Sequence, residues 1–294
     1  MTLQFQKATK AMSYLRMALC GAPGAGKTWT SLALASGLGH KIALLDTERG
    51  SASKYAGDFD FDVCELESFH PQHYIEGMVA AYEGGYDVLV IDSLSPAWAG
   101  KNGALELVER ACATGKANRT SAWRHVTSLH HQMVDTMLRL PMHLMVTLRT
   151  KVAYVIETDS QGKHVSRQVG MAPIQREGCE YEFDVIGELH SDGLTITKTR
   201  LRSLQGLTLA FDPQAPIAPG LELGRRIAAD LQGEPPAWAT TPDVSEPMQQ
   251  VEPHELKITP FGRTLALDHH TLTGCHRGAF THLLAQELRG VQGI

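Results

Sequence analysis

Gly21-Ala22-Pro23-Gly24-Ala25-Gly26-Lys27-Thr28 is the stretch on which the fold of this chain turns. It fits Gly-x-x-x-x-Gly-Lys-Ser/Thr without a mismatch, and each letter has a physical reason. Glycines let backbone N–H groups turn toward a phosphate, where a side chain would stand in the way. The Lys27 ammonium adds charge for β- and γ-phosphates, and the Thr28 hydroxyl suits magnesium. The N-terminus of the following helix favours the same anion. The octet lies between an apolar run, Tyr14 to Cys20, and a helical pattern, Trp29 to Leu38, which is the setting the motif requires. Positions 21 to 28, with Thr30 early in the helix, are the expected nucleotide-binding residues, and ATP with Mg2+ the expected ligands.

Outward from the octet, short apolar runs alternate with helical patterns as far as residue 150. Lys41 to Asp46, Asp87 to Asp92 and His143 to Leu148 read as buried strands. Pro71 to Glu83 reads as a helix with Tyr74, Ile75, Met78, Val79 and Tyr82 on one face, and Ala122 to Leu140 as a long helix stopped by Pro141. Near-continuous apolar strands alternating with helices predict an α/β fold with a mainly parallel sheet covered on both faces. Lys151 to Gly178 is polar and mixed, with no period. Tyr181 to His190 and Leu194 to Thr199 read as strands joined at Ser191-Asp192-Gly193, where Asp-Gly favours an antiparallel hairpin at one edge. Leu221 to Leu231 closes this core as a helix. The prolines at 235, 236, 242, 247 and 253 mark a linker, so the expected division is a core at 1–232, a linker at 233–253 and a tail at 254–294.

Composition excludes several classes. At 43% hydrophobic and 20% charged the chain is an ordinary globular sequence, with no apolar run of membrane-spanning length and no apolar leader after Met1. Five cysteines stand singly, without a C-x-x-C pair, and are expected as reduced thiols in a cytoplasmic protein. The pairs His130-His131 and His269-His270 lack carboxylate or cysteine company at metal-ligand spacing and read as ordinary surface or core histidines. A net charge of −5 gives no global attraction to nucleic acid, although a local basic groove would suffice.

Two acidic positions complete the phosphate chemistry. Asp92 ends the apolar run Val88-Leu89-Val90-Ile91, the Walker B pattern, and is the expected second partner of magnesium beside Thr28. Asp46-Thr47-Glu48 ends another strand at the same edge, and Glu48 is the candidate base for an attacking water.

A P-loop, then a strand ending Asp-x-Glu, then a strand ending Asp-Ser, resembles the RecA-like recombinase ATPases. The resemblance makes Glu48 the catalytic base and Asp92 the metal partner. It places a polar sensor at Thr147 to Lys151, where the family's glutamine is missing and Thr147 or Arg149 would replace it. It implies a DNA-binding loop directly after, and ATP held between subunits of a ring or filament. Lys198-Thr199-Arg200 has the spacing of the family's lysine pair, which makes Lys198 and Arg200 candidate catalytic residues acting on a neighbour's ATP. The wider stretch, about residues 8 to 232, is similar to a phage-borne group of small RecA-like ATPases. It includes single-strand annealing recombinases of the Sak type that act with a single-strand-binding protein. The loop from Arg149 to Gly178 holds Arg149, Lys151, Lys163, Arg167 and Arg176 against three acids, with Tyr154 and His164 as stacking candidates. Those five cations are the candidate contacts to single-stranded DNA. The rival expectations are an ATP-switched adaptor or loader in phage replication and a small-molecule or nucleotide kinase.

Overall fold

A computed structural model describes residues 12–115, 117–158 and 164–232. The expected linker and tail, and Lys163, lie outside the described residues. The elements in chain order are β1 (Arg16–Gly21), α1 (Lys27–Leu38), β2 (Ile42–Asp46), β3 (Asp62–Glu65), α2 (Pro71–Glu83), β4 (Val88–Asp92), α3 (Ser95–Ala99), α4 (Ala104–Ala113), α5 (Arg119–Arg139), β5 (His143–Thr158), β6 (His164–Pro173), β7 (Val185–Leu189), β8 (Gly193–Thr199), β9 (Thr208–Ala210) and α6 (Ala218–Leu231).

The sheet runs β3-β2-β4-β5-β1-β7-β8-β9, with β6 paired to the outer half of β5. Strands β3 to β7 along that order are parallel, and β7-β8-β9 form an antiparallel edge. This is the expected α/β architecture. Strand β1 shows why its sequence carries no polar alternation. Met17 and Leu19 face a core layer with Leu32, Leu34, Leu223 and Ile227, while Ala18 and Cys20 face another with Tyr74, Met78, Met133 and Met137. Helices cover both faces, so both side-chain sets of the strand must be apolar.

Local chemistry sets several boundaries. Pro71 fills the first turn of α2, where no N–H is needed, and His70 Nδ1 accepts the Gln72 N–H at 3.2 Å. Asn118 Oδ1 accepts the Ser121 N–H at 2.8 Å and starts α5 three residues earlier than the apolar pattern suggests. On α2 the buried residues are Pro71, Tyr74, Met78 and Ala81, whereas Val79 and Tyr82 are exposed. The expected five-residue face is therefore narrower.

The largest departure is at residues 151–173. No period was visible there, yet β5 runs on past the sheet and pairs antiparallel with β6 from Thr150↔Pro173 to Thr158↔His164. This arm is exposed on both sides (Ile156 is 72% exposed), so neither face is uniformly apolar and the alternation that marks half-buried strands is absent. Edge strand β3 is exposed throughout and was equally silent. Among the described residues no helix is long and apolar enough to cross a membrane.

Candidate nucleotide site at the carboxyl edge

Parallel pairing brings the ends of four strands to one edge. Gly21 lies opposite Arg149, and Asp46 opposite Asp92. The loop after β1 turns through Gly24 (φ 78°) and Gly26 (φ 84°), a left-handed region in which side chains are strained. A Cβ on Gly21 would sit 3.0 Å from the Leu189 carbonyl oxygen, so close packing of β1 against β7 adds a second demand for glycine. Lys27 Nζ lies across the loop, donating to the carbonyls of Gly21 at 3.1 Å and Ala22 at 2.9 Å. Burial lowers its pKa, the carboxylates of Asp92 and Glu48 oppose that, and Arg149 adds to the lowering. Thr30 is buried in α1 with its N–H on the Gly26 carbonyl at 2.8 Å, so it supports the loop from inside the helix.

Asp92 is 3% exposed and takes hydroxyl donors on both oxygens. Thr28 Oγ1 donates to Oδ2 at 2.5 Å, and Thr147 Oγ1 donates to Oδ1. Strand β5 lies between β1 and β4, which is what puts Thr147 beside Asp92. Burial raises the Asp92 pKa, the two hydroxyl bonds oppose that, and the charges of Glu48 and Asp46 reinforce it. A buried carboxylate held against a threonine hydroxyl, with two further acids near, is a hard-oxygen set that fits magnesium.

Glu48 is positioned by its neighbour. Asp46, 1% exposed, accepts the Glu48 N–H on Oδ1 at 2.5 Å and the Ala52 N–H on Oδ2 at 3.2 Å. Between them the chain reverses through Arg49 (φ 56°) and Gly50 (φ 74°). Thr47 ties the loop to β4, its N–H donating to the Asp92 carbonyl at 2.8 Å and its Oγ1 accepting the Ser93 N–H at 2.8 Å. The Glu48 carboxylate meets Arg149, whose Nη2 and Nε donate to Oε1 at 2.8 and 3.2 Å.

The site therefore collects Lys27, Thr28, Asp92, Glu48 and Arg149, while other candidates lie elsewhere. Lys198 pairs with Ile186 and Thr199 with Val185, near the end of the sheet opposite Gly21. There Lys198 Nζ donates to the carbonyls of Glu180 at 2.7 Å and Tyr181 at 3.1 Å. Arg200 holds Asp184 at 2.8 Å and the Tyr181 carbonyl at 3.2 Å. The two cations meet at the Tyr181 carbonyl, and neither approaches the P-loop of its own chain. Of the DNA candidates, Arg167 pairs with Glu157 at 2.7 Å and Arg176 Nη1 meets His131 Nε2 at 2.8 Å. Lys151 is exposed at the foot of the arm. Sequence reasoning gave no role to Asp46 and did not foresee the Thr147–Asp92 bond. A threonine at the inner end of a buried strand was the available signal.

No curated protein matches the chain. The family model described as an AAA domain matches residues 13–209, more than half of the 294, and spans every strand of the nucleotide edge. With the P-loop, the buried Asp92 and the parallel sheet in agreement, the chain belongs to the AAA domain family of P-loop ATPases.

Proposed function

We propose that this protein hydrolyses ATP while acting on single-stranded DNA, in strand annealing or recombination of the RecA-like kind. The observation that carries the hydrolytic part is the convergence of Thr28 and Asp92 on one buried contact, with Glu48 and Lys27 at the same edge. Lys27 exchanges the carbonyls of Gly21 and Ala22 for the β- and γ-phosphate oxygens. Thr28 and Asp92 would hold magnesium, which when bound would offset phosphate charge. Glu48 orients a water and accepts its proton as the water oxygen attacks the terminal phosphorus and the bond to the ADP oxygen breaks.

The DNA part is supported by the arm, which continues directly from the strand beside the P-loop and leaves Lys151 exposed at its foot. Lys198 and Arg200 serve as trans-acting cations in a homo-oligomer, since a role on ATP is open to them only across a subunit boundary. The ion pairs of Arg149 and Arg167 favour one second reading. In it the protein is an ATP-switched adaptor, and the arm docks a replication partner.

The deciding experiment is ATP turnover with and without a single-stranded oligonucleotide, run on wild type and Glu48→Gln. Stimulation by DNA is expected, with a loss on the order of 10²-fold for the amide, which keeps shape but accepts no proton. Turnover of the amide variant within a few-fold of wild type would move the base elsewhere.

A further inference from the structure

Arg149 sits at a junction that nucleotide chemistry alone does not require. It is the last residue of the parallel ladder on β5, and its neighbour Thr150 begins the arm. Its N–H donates to Ser95 Oγ at 2.9 Å, where α3 starts behind Asp92. Its carbonyl accepts the Ile174 N–H at 2.7 Å, where β6 returns. The backbone of this one residue is thus bonded to the segment after Asp92 and to the foot of the arm, and it lies in register with Gly21 at the end of the P-loop strand.

Its side chain crosses to the loop after β2 and gives two donors to a single oxygen, Glu48 Oε1. An oxygen engaged that way is turned toward the guanidinium and away from a water. The pair is 46% and 35% exposed, so solvent competes well for both partners and little free energy holds it closed. We propose that Arg149 is a positioning residue that restrains Glu48 by tying its carboxylate to the foot of the β5–β6 arm. The inference rests on Glu48 being the proton acceptor. A ligand that displaces the arm shifts Arg149 and frees Oε1, which takes the proton of the attacking water and later returns it to solvent.

The test is steady-state ATP hydrolysis by the full chain, with and without a single-stranded oligonucleotide. The proteins are wild type, Arg149→Ala, Arg149→Lys, Glu48→Gln and the Arg149→Ala/Glu48→Gln double variant. Arg149→Ala is expected to raise DNA-independent kcat by roughly two- to five-fold, the range one half-exposed ion pair can supply, with KM for ATP unchanged. Arg149→Lys keeps a charge on a flexible stem and is expected to fall between, and it carries the test if the alanine variant does not fold. On the Glu48→Gln background the alanine substitution is expected to change nothing, because the restraint acts through that carboxylate. A basal kcat at or below wild type would overturn the inference, as would an equal gain on the Glu48→Gln background. Wild type that ignores DNA would defeat the strand-binding reading instead, leaving the restraint to stand or fall on basal kcat.

Discussion

Asp46 has no contact to offer a phosphate, yet it decides where Glu48 stands. With both oxygens on backbone N–H groups of the loop, its removal frees Glu48 and Ala52 together. Asp46→Ala is expected to leave nucleotide binding intact and lower kcat by roughly 10²-fold, the scale of a small misplacement of a reacting group. A fluorescent ATP analogue titration beside a turnover assay checks both halves. His143 governs stability in a different way. Its Nδ1 accepts the Leu15 N–H at 3.1 Å, so the ring must be unprotonated there. Burial foremost, then Arg16, lowers its pKa from 6.5 to about 4, against the pull of Asp87. Between those two values the unfolded chain holds the extra proton. The stabilisation is complete above pH 6.5 and is lost as pH falls toward about 4. The loss attributable to this ring is on the order of 3 kcal/mol. Urea unfolding across that window reads it, and His143→Gln, an acceptor that gains no proton, is expected to have the shallower pH slope.

At the scale of elements, the P-loop helix owes its place to α6. The two helices cross at glycines, where a Cβ on Gly37 would lie 2.2 Å from the Leu221 carbonyl oxygen and one on Gly224 2.2 Å from that of Leu34. Trp29 Nε1 adds a bond to the Pro216 carbonyl at 3.2 Å, one residue beyond Thr28. Backbone atoms cannot step aside as a flexible side chain can, so Gly37→Ala must push the helices apart. Overpacking of this kind costs about 1–3 kcal/mol, which for a domain of this size lowers Tm by roughly 3–10 °C. Gly57→Ala is the control, because nothing lies within 4 Å of its Cβ position. A thermal melt of the two variants separates crowding from any general cost of alanine. If they melt alike, the crossing is looser than its glycines imply.

For the whole molecule, the open question is what Lys198 and Arg200 act on. Within one chain they secure the turn at Glu180–Tyr181 and the Asp184 carboxylate, at the end of β7 away from the phosphate loop. Thr199 between them turns its hydroxyl to the Leu201 carbonyl, while both cations reach the Tyr181 carbonyl. Arg200→Ala is expected to bind ATP nearly as wild type and to hydrolyse it poorly. Mixed with Glu48→Gln, it should regain part of the activity, since each protein supplies what the other lacks across a shared boundary. Turnover of the mixture after demonstrated co-assembly decides the matter. A mixture as inactive as its components would confine both cations to the structural contacts they make in their own chain.

The amino-acid sequence by itself determined what short-range chemistry dictates. The phosphate loop follows from glycines and one lysine in a row. The parallel sheet follows from apolar strands with no polar face, and the bounds of α2 from Pro71 at one end and Gly84 at the other. The Asp-Gly turn between β7 and β8 belongs with these. Tertiary structure alone decided which ends meet. Nothing local tells Thr147 that β5 will lie beside β4, or Arg149 that Glu48 will be opposite it, because periodicity reports that a strand is buried and not which strand buries it. The arm was hidden for the converse reason. Exposed on both faces, it buries no side, and Ala153 and Val155 among Val152 and Ile156 blur any alternation, so these residues could signal extended backbone only by residue type. The crossing of α1 on α6 was equally invisible, since two glycines become a contact only when the fold sets their backbones against each other.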